Sequence, residues 1–174
     1  MKVENLYKIC IKLMEEHHFQ CEWQVTYEEE KEELVISLQF NLPNSNNQKL
    51  VDYEGVKTDH SQVIYQANVL ITNYPITYAE DQYFLCYVFD QQKGIYYGDL
   101  EALVKQLKLI ASSCLMEWEK FLNDDQRLTF ALTWDWQAYY KQVDKLKEHG
   151  RFSRLPLNFI SPVRNSLMQE GIIK

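Results

Sequence analysis

Glycine is scarce in this chain, with 5 among 174 residues, and proline is scarcer, with 4. So few glycines argue against a protein built on glycine-rich phosphate-binding loops. The 4 cysteines lie far apart without a CxxC pair, which is typical of core residues in a reducing compartment. No apolar run approaches the roughly 18 residues of a membrane-spanning helix, and charges interrupt the N-terminal stretch where a signal peptide would be apolar. We therefore expect a cytoplasmic protein without a membrane segment.

Positive charge is also in short supply. The 18 Lys and Arg residues stand against 25 Asp and Glu residues, which gives a net charge of −7 and repels nucleic acid overall. The tail is the exception, because its charges are mostly basic: Arg151, Arg154, Arg164 and Lys174 against Glu170. This asymmetry predicts one domain over residues 1–150 and a basic C-terminal tail over residues 151–174, extended or packed on the domain.

The stretch from Gly98 to Asn123 has the clearest periodicity in the chain. Its apolar residues recur at gaps of three and four, as on one face of a helix: Leu100, Leu103, Val104, Leu107, Ile110, Ala111, Cys114, Leu115, Trp118, Phe121 and Leu122. A stripe of this length has to be buried, and a sheet is the expected partner.

Shorter patterns predict the remaining elements. Helical spacing predicts a first helix over Glu4–His18. It also predicts a last helix that Asp135 caps and Gly150 ends. The buried stripe of this last helix is expected to consist of Trp136, Tyr139, Tyr140, Val143 and Leu146. Alternation predicts strands at Cys21–Tyr27, Leu34–Phe40, Val63–Thr72, Tyr83–Phe89 and Leu128–Trp134, with a short edge strand in Val51–Val56. Tyr83–Phe89 is apolar on both faces and is expected to be central.

The predicted class is therefore α+β. It consists of an antiparallel sheet of about five strands with helices packed on one face, in the order α-β-β-β-β-α-β-α.

One cluster has residue types that bind metals, namely Glu15, Glu16, His17, His18 and Cys21. Zinc needs ligands that converge on one point. Neighbouring helix residues point about 100° apart, so His17 and His18 are poorly placed to share an ion. No HExxH or CxxC signature is present, and we predict a structural role and no metal.

A possible anion site lies at the start of the long helix, after Gly94 and Gly98. The sequence lacks the spacing of known phosphate loops, and Asp99 places a negative charge where a phosphate would bind. We therefore expect the glycines to provide turn geometry and predict no cofactor.

Two acids at element ends, Asp90 and Asp135, are the best candidates for general acid–base chemistry. A hydrolase-like site would bring them together with Tyr139 and His60 at one end of the sheet. The alternative is that both carboxylates cap the backbone, and the sequence favours it.

The tail carries Phe152 and Phe159 near Arg151 and Arg154, a combination that can stack on single-stranded RNA. Two rings and a few arginines in an acidic protein are weak evidence, so nucleic acid is not an expected partner. The alternatives are that the tail packs on its own domain, or that it docks on another protein or a second copy.

Several short pieces over most of residues 1–150 resemble a family of uncharacterised Firmicute proteins, the DUF3013 family. The pieces are Trp23, Asp52–Glu54–Gly55, the DQYFLCYVFD run from Asp81 to Asp90, the helix from Gly98, FLNDDQ from Phe121 and FALTWDWQAYY from Phe130 to Tyr140. The resemblance implies a cytoplasmic bacterial protein without assigned activity and supplies no functional residues. The tail after Arg151 is a departure from the family pattern.

No catalytic constellation stands out, so the sequence favours a non-enzymatic protein-binding or regulatory module, with a protein partner or a second copy of the chain. The alternatives are the hydrolase-like enzyme and weak RNA binding through the tail.

Overall fold

A computed structural model describes residues 3–44, 50–51, 57–58, 61–74, 82–127 and 129–160. The helices in this part of the chain are α1 (Leu6–Glu16), α2 (Tyr97–Leu122) and α3 (Trp136–Glu148). The strands are β1 (Glu4–Asn5), β2 (Glu22–Glu28), β3 (Glu33–Pro43), β4 (Leu50–Val51), β5 (Lys57–Thr58), β6 (Gln62–Thr72), β7 (Leu85–Val88), β8 (Ile95–Tyr96) and β9 (Pro156–Asn158). They form sheets of four, three and two strands, so the predicted α+β class is confirmed.

The four-stranded sheet has the strand order β2-β3-β6-β7 and supports the main core. β2, β3 and β6 are antiparallel neighbours, as predicted. Along β3, Leu34, Ile36 and Leu38 are fully buried, whereas the alternating Val35 and Ser37 are only partly buried. This period-two pattern gives the sheet one face that packs against the helices.

The predicted place of the fourth long strand is wrong. β7 is parallel to β6, with Leu85 opposite Val69, and among the described strands it lies at the end of the order instead of the centre. Val88, on its other face, is 49% exposed. Residues 73–84 separate the two strands, and about a dozen residues are enough for the crossover that parallel neighbours require.

The predicted fifth strand is absent from the described residues 129–135, which pair with no neighbouring strand. The alternation in this segment still reports burial. Leu132 is 8% exposed and its amide donates to the Tyr65 hydroxyl at 3.2 Å, while the Phe130 ring packs edge-on against Tyr65. A side chain has replaced the neighbouring strand as hydrogen-bond partner. Leu128 lies outside the described residues.

α2 occupies the position predicted for the long helix and contacts α1, α3 and β3. Its apolar stripe is buried except at the edge, where Leu115 is 49% exposed and Phe121 is half-buried. Ala102 and Gln106 are buried off the stripe because α3 packs beside them, and the Gln142 amide reaches Gln106 Oε1 at 3.5 Å. In the described part of the chain, none of the helices combines the length and apolar character needed to cross a bilayer.

The first ten residues of the tail, 151–160, pack on the rest of the chain. β9 lies between β1 and β8 in the three-stranded sheet, parallel to β1 and antiparallel to β8. Leu157 of β9 is fully buried. Gly94 lies under the Leu157 carbonyl and Gly98 under the Phe152 ring, so both glycines allow a close approach of the tail. Residues 161–174 lie outside the described residues, as do residues 52–56 of the predicted edge strand.

Candidate functional site

The two acids of the predicted hydrolase-like site bind backbone amides of their own turns. Asp90 Oδ1 accepts hydrogen bonds from the amides two and three residues further on, at 2.8 and 3.2 Å. Asp135 Oδ1 accepts hydrogen bonds from the amides of Gln137 and Ala138, at 2.9 and 3.3 Å, and thereby caps α3. The backbone-binding interpretation is confirmed for both carboxylates.

Replacing Asp135 with alanine should lower the free energy of unfolding by about 1 kcal/mol, because two amides at the start of α3 lose their acceptor. Asp135→Asn keeps an oxygen in the same place and should stay within a few tenths of a kcal/mol of the parent, on the same capping scale. Urea unfolding of the three proteins gives the comparison. If asparagine were as destabilising as alanine, the charge of Asp135, and not its cap, would be what matters.

Tyr139, the third member of that predicted site, is a core residue with 2% of its surface exposed. Its hydroxyl is 3.1 Å from the Tyr87 hydroxyl and donates to the backbone oxygen of Asp99 at 3.3 Å. These bonds tie α3 to β7 and to the first turn of α2. His60, the fourth member, lies outside the described residues.

The ionisable groups around this contact are shifted toward their neutral forms. Burial raises the pKa of the Tyr139 phenol and that of Tyr87. Burial also raises the pKa of the Asp99 carboxyl, and the nearby Lys147 ammonium opposes the shift. Phenols that stay protonated near neutral pH donate hydrogen bonds but do not act as general bases. The geometry therefore favours a structural role for the pair.

The histidine and cysteine cluster lies at the end of α1. Within the ranges that the structure covers, no three His, Cys, Asp or Glu side chains are grouped closely enough to hold a metal ion. His18 has a φ of 50°, the left-handed conformation that commonly follows a helix end. Burial, followed by the charge of Lys105, lowers the pKa of His17. Burial raises the pKa of the Cys21 thiol to about 11, which makes it an unreactive thiol near neutral pH.

The start of α2, considered above as an anion site, is occupied by the tail. The amides of Tyr97 and Gly98 donate to the carbonyl oxygens of Leu155 and Ser153, both at 2.9 Å. These are among the amides that would otherwise point at an anion. The chain's own carbonyls thus take the place of a ligand at these two positions.

The two tail rings considered for RNA stacking are engaged within the fold. Phe152 lies against Gly98 beneath the Lys147 ammonium, which is 5.0 Å from the ring centroid. Phe159 stacks on Tyr27 with centroids 5.0 Å apart. Both rings are half-buried, so the aromatic half of the predicted RNA site packs on the chain itself.

A cluster of six aromatic side chains, here called the aromatic corner, lies where the start of α3 meets β7: Phe84, Tyr87, Trp134, Trp136, Tyr139 and Tyr140. Its outer members are Trp136 and Tyr140, which are 41% and 57% exposed. Their rings stack with centroids 6.0 Å apart and an interplanar angle of 29°. The prediction that both belong to the buried stripe of α3 is wrong, whereas Tyr139, Val143 and Leu146 are buried as expected. The signal that was missed is an excess of apolar residues, because Trp136 and Tyr140 lie on the same side of Tyr139, about 60° and 100° away around the helix, and one contact with α2 cannot cover all three.

A shallow depression of about 270 Å³ lies on the open face of the four-stranded sheet. It is lined by Glu22, Trp23, Gln24, Ser37, Gln39 and Gln66. Ligand sites usually measure roughly 300–1,000 Å³ and are mostly apolar. Because the depression is small, polar and has one ionisable side chain, we assign it no function.

The known proteins to which the chain is similar have no assigned activity. The family model described as "Protein of unknown function (DUF3013)" matches residues 1–156. The match ends at Pro156, the first residue of β9, so it takes in only the start of the tail, and residues 157–174 lie beyond it. No curated protein matches the chain. A crystal structure of a conserved protein of unknown function from Enterococcus faecalis is similar, with a TM-score of 0.77, 15% identity and coverage of 92% of this chain and 98% of that one. At that identity the likeness shows the fold alone.

Proposed function

The chain belongs to the DUF3013 family, whose function is unknown, and we propose that it is a non-enzymatic module that binds a protein partner through the aromatic corner. The observation that carries the proposal is the pair of exposed, stacked rings of Trp136 and Tyr140. Trp and Tyr are the side chains that most often dominate the energy of protein interfaces.

The two rings stand on a rigid support. Beneath them Tyr139 contacts both, at centroid distances of 5.7 Å to Trp136 and 5.3 Å to Tyr140. Tyr139 is fixed in turn by its hydroxyl bonds to Tyr87 and to the Asp99 backbone. Because the rings are held before a partner arrives, binding would lose little side-chain entropy.

The chemistry of the surface defines the class of partner. Two adjoining ring faces can receive an apolar or aromatic side chain, and they also attract a cation such as Arg. The partner is therefore a protein that presents such an anchor. Its binding would occur in the cytoplasm, the compartment that the cysteine usage of the sequence predicts.

Site-specific photo-crosslinking in cells that express the chain tests the proposal. A photoreactive phenylalanine analogue at position 140 should give a discrete adduct with another protein. The same analogue at Lys145, an exposed position on α3, serves as the matched control and should not give that adduct. Adding Trp136→Ala should reduce the adduct at position 140. Identical patterns from both positions, or adducts with the chain itself only, would overturn the proposal.

A further inference from the structure

The outer side of α2 carries apolar side chains that the fold leaves in solvent. Leu109 is 54% exposed, Leu115 is 49% exposed and Met116 is 52% exposed. Ser112 lies between them and is also exposed. Several large apolar side chains exposed together on one helix are a sign of a binding site. It belongs to a different helix from the aromatic corner, so the inference does not depend on the proposed function.

The arrangement of this surface is symmetric about Ser112. At 3.6 residues per turn, Lys105, Ser112 and Glu119 fall in one row along the helix, about 21 Å long. Leu109 and Met116 form a row on one flank, and Lys108 and Leu115 form a row on the other. We call these seven residues the α2 surface.

We propose that the α2 surface binds a second copy of this chain, with the two α2 helices antiparallel and a two-fold axis at Ser112. In such a pair each flank faces the same flank of the other copy in reverse order. Leu109 then lies opposite Met116, and the methylene chain of Lys108 lies on Leu115. Ser112 meets Ser112, and a small residue at that point lets the helices approach.

Charge complementarity selects a copy of this chain over an unrelated helix. The same reversal places Lys105 of each copy opposite Glu119 of the other, which gives one interchain ion pair at each end of the contact. Lys105 is 3.7 Å from Glu101 within its own helix, and a third of its side chain is exposed. A parallel pair would place Lys105 against Lys105 and Glu119 against Glu119, so the charges specify the antiparallel arrangement.

The contact is short, so the dimer should be weak. It covers about four turns of one helix on each side and is smaller than the interfaces of permanent dimers. We expect a dissociation constant in the micromolar range, which sedimentation velocity measures directly on the full chain over a concentration series.

Disulfide trapping tests the position of the axis. Under mild oxidation Ser112→Cys should form a covalent dimer, because each residue meets its own copy there. Ser113→Cys is the matched control, because Ser113, like Ser112, donates its hydroxyl to a carbonyl of the preceding turn. Ser113 lies about 100° from Ser112 around the axis of α2 and therefore away from the proposed two-fold axis. The parent chain, with its own cysteines, provides the background. Trapping at 113 equal to that at 112 would overturn the proposal.

Charge reversal tests the pairing. Lys105→Glu and Glu119→Lys should each weaken association by about tenfold, since each turns two attractions into repulsions. The double variant should return association to within about threefold of the parent, because both ion pairs form again with the two charges exchanged between positions 105 and 119. Circular dichroism checks that each variant keeps its helices. A parent chain that stays monomeric at high micromolar concentration, or reversals that do not compensate, would overturn the proposal.

Discussion

Gly94→Ala is expected to lower the free energy of unfolding by about 2–5 kcal/mol, through two costs that arise at the same atom. Gly94 has a φ of 72°, a left-handed conformation that costs an alanine about 1–2 kcal/mol. A methyl group would also overlap the backbone oxygen of Leu157, and crowding of this kind costs about 1–3 kcal/mol. Because the overlapping atom belongs to the backbone of β9, relief requires the strand to move.

Gly150 supplies the matched control. Its φ is 66°, nearly that of Gly94, but a methyl group there would meet nothing within 4 Å. Gly150→Ala should therefore cost only the conformational part, about 1–2 kcal/mol. Urea unfolding of the two variants and the parent measures the difference, and hydrogen exchange at Ile95 and Leu157 shows whether β9 has loosened. Equal losses at the two glycines would mean that the tail does not press on Gly94.

Tyr139→Ala is expected to cost about 3–5 kcal/mol, the range for removing a large buried aromatic side chain. Tyr139 is among the largest fully buried side chains and contacts the rings of Tyr87, Trp134 and Trp136. Its removal leaves a cavity between α3 and β7. The loss should appear as a lower urea midpoint.

Tyr139→Phe separates the hydroxyl from the ring. It keeps the packing but removes the partner of the Tyr87 hydroxyl and one of the donors to the Asp99 carbonyl, which also accepts a bond within α2, and this should cost about 1–3 kcal/mol. The phenylalanine variant should therefore retain most of the stability and the exposed surface of Trp136 and Tyr140. If alanine were tolerated as well as phenylalanine, Tyr139 would not be the support of the aromatic corner.

Local patterns in the sequence located most of the long elements. Helical spacing placed α1, α2 and α3, and alternation placed β2, β3 and β6, because these periods follow from the geometry of one element against one apolar layer. The Asp135 cap was also predictable, since a cap acts within three residues of itself. The DUF3013 family was recognisable from short pieces of sequence without any knowledge of their contacts.

The wrong predictions concern segments whose apolar periodicity was identified correctly but whose packing partners were not. Residues 129–135 alternate as a strand would, but their neighbour is the side chain of Tyr65 and not another backbone. Trp136, Tyr140 and Leu115 have the spacing of buried residues, but they lie at edges that none of the described elements covers. Periodicity indicates which side of an element is apolar, but it does not indicate how much of that side other elements cover.

The sequence by itself determined the α+β class, the helices and three long strands, the cap of α3 and the family. Only the tertiary structure decided that β7 is parallel and at the edge, that β9 lies between β1 and β8, and that aromatic and aliphatic side chains on α3 and α2 stay in solvent. The reason is physical. Helices and alternating strands are specified by residues within a few positions of each other, whereas strand partners and exposure depend on contacts between segments such as Glu4–Asn5 and Pro156–Asn158, which lie at opposite ends of the described chain.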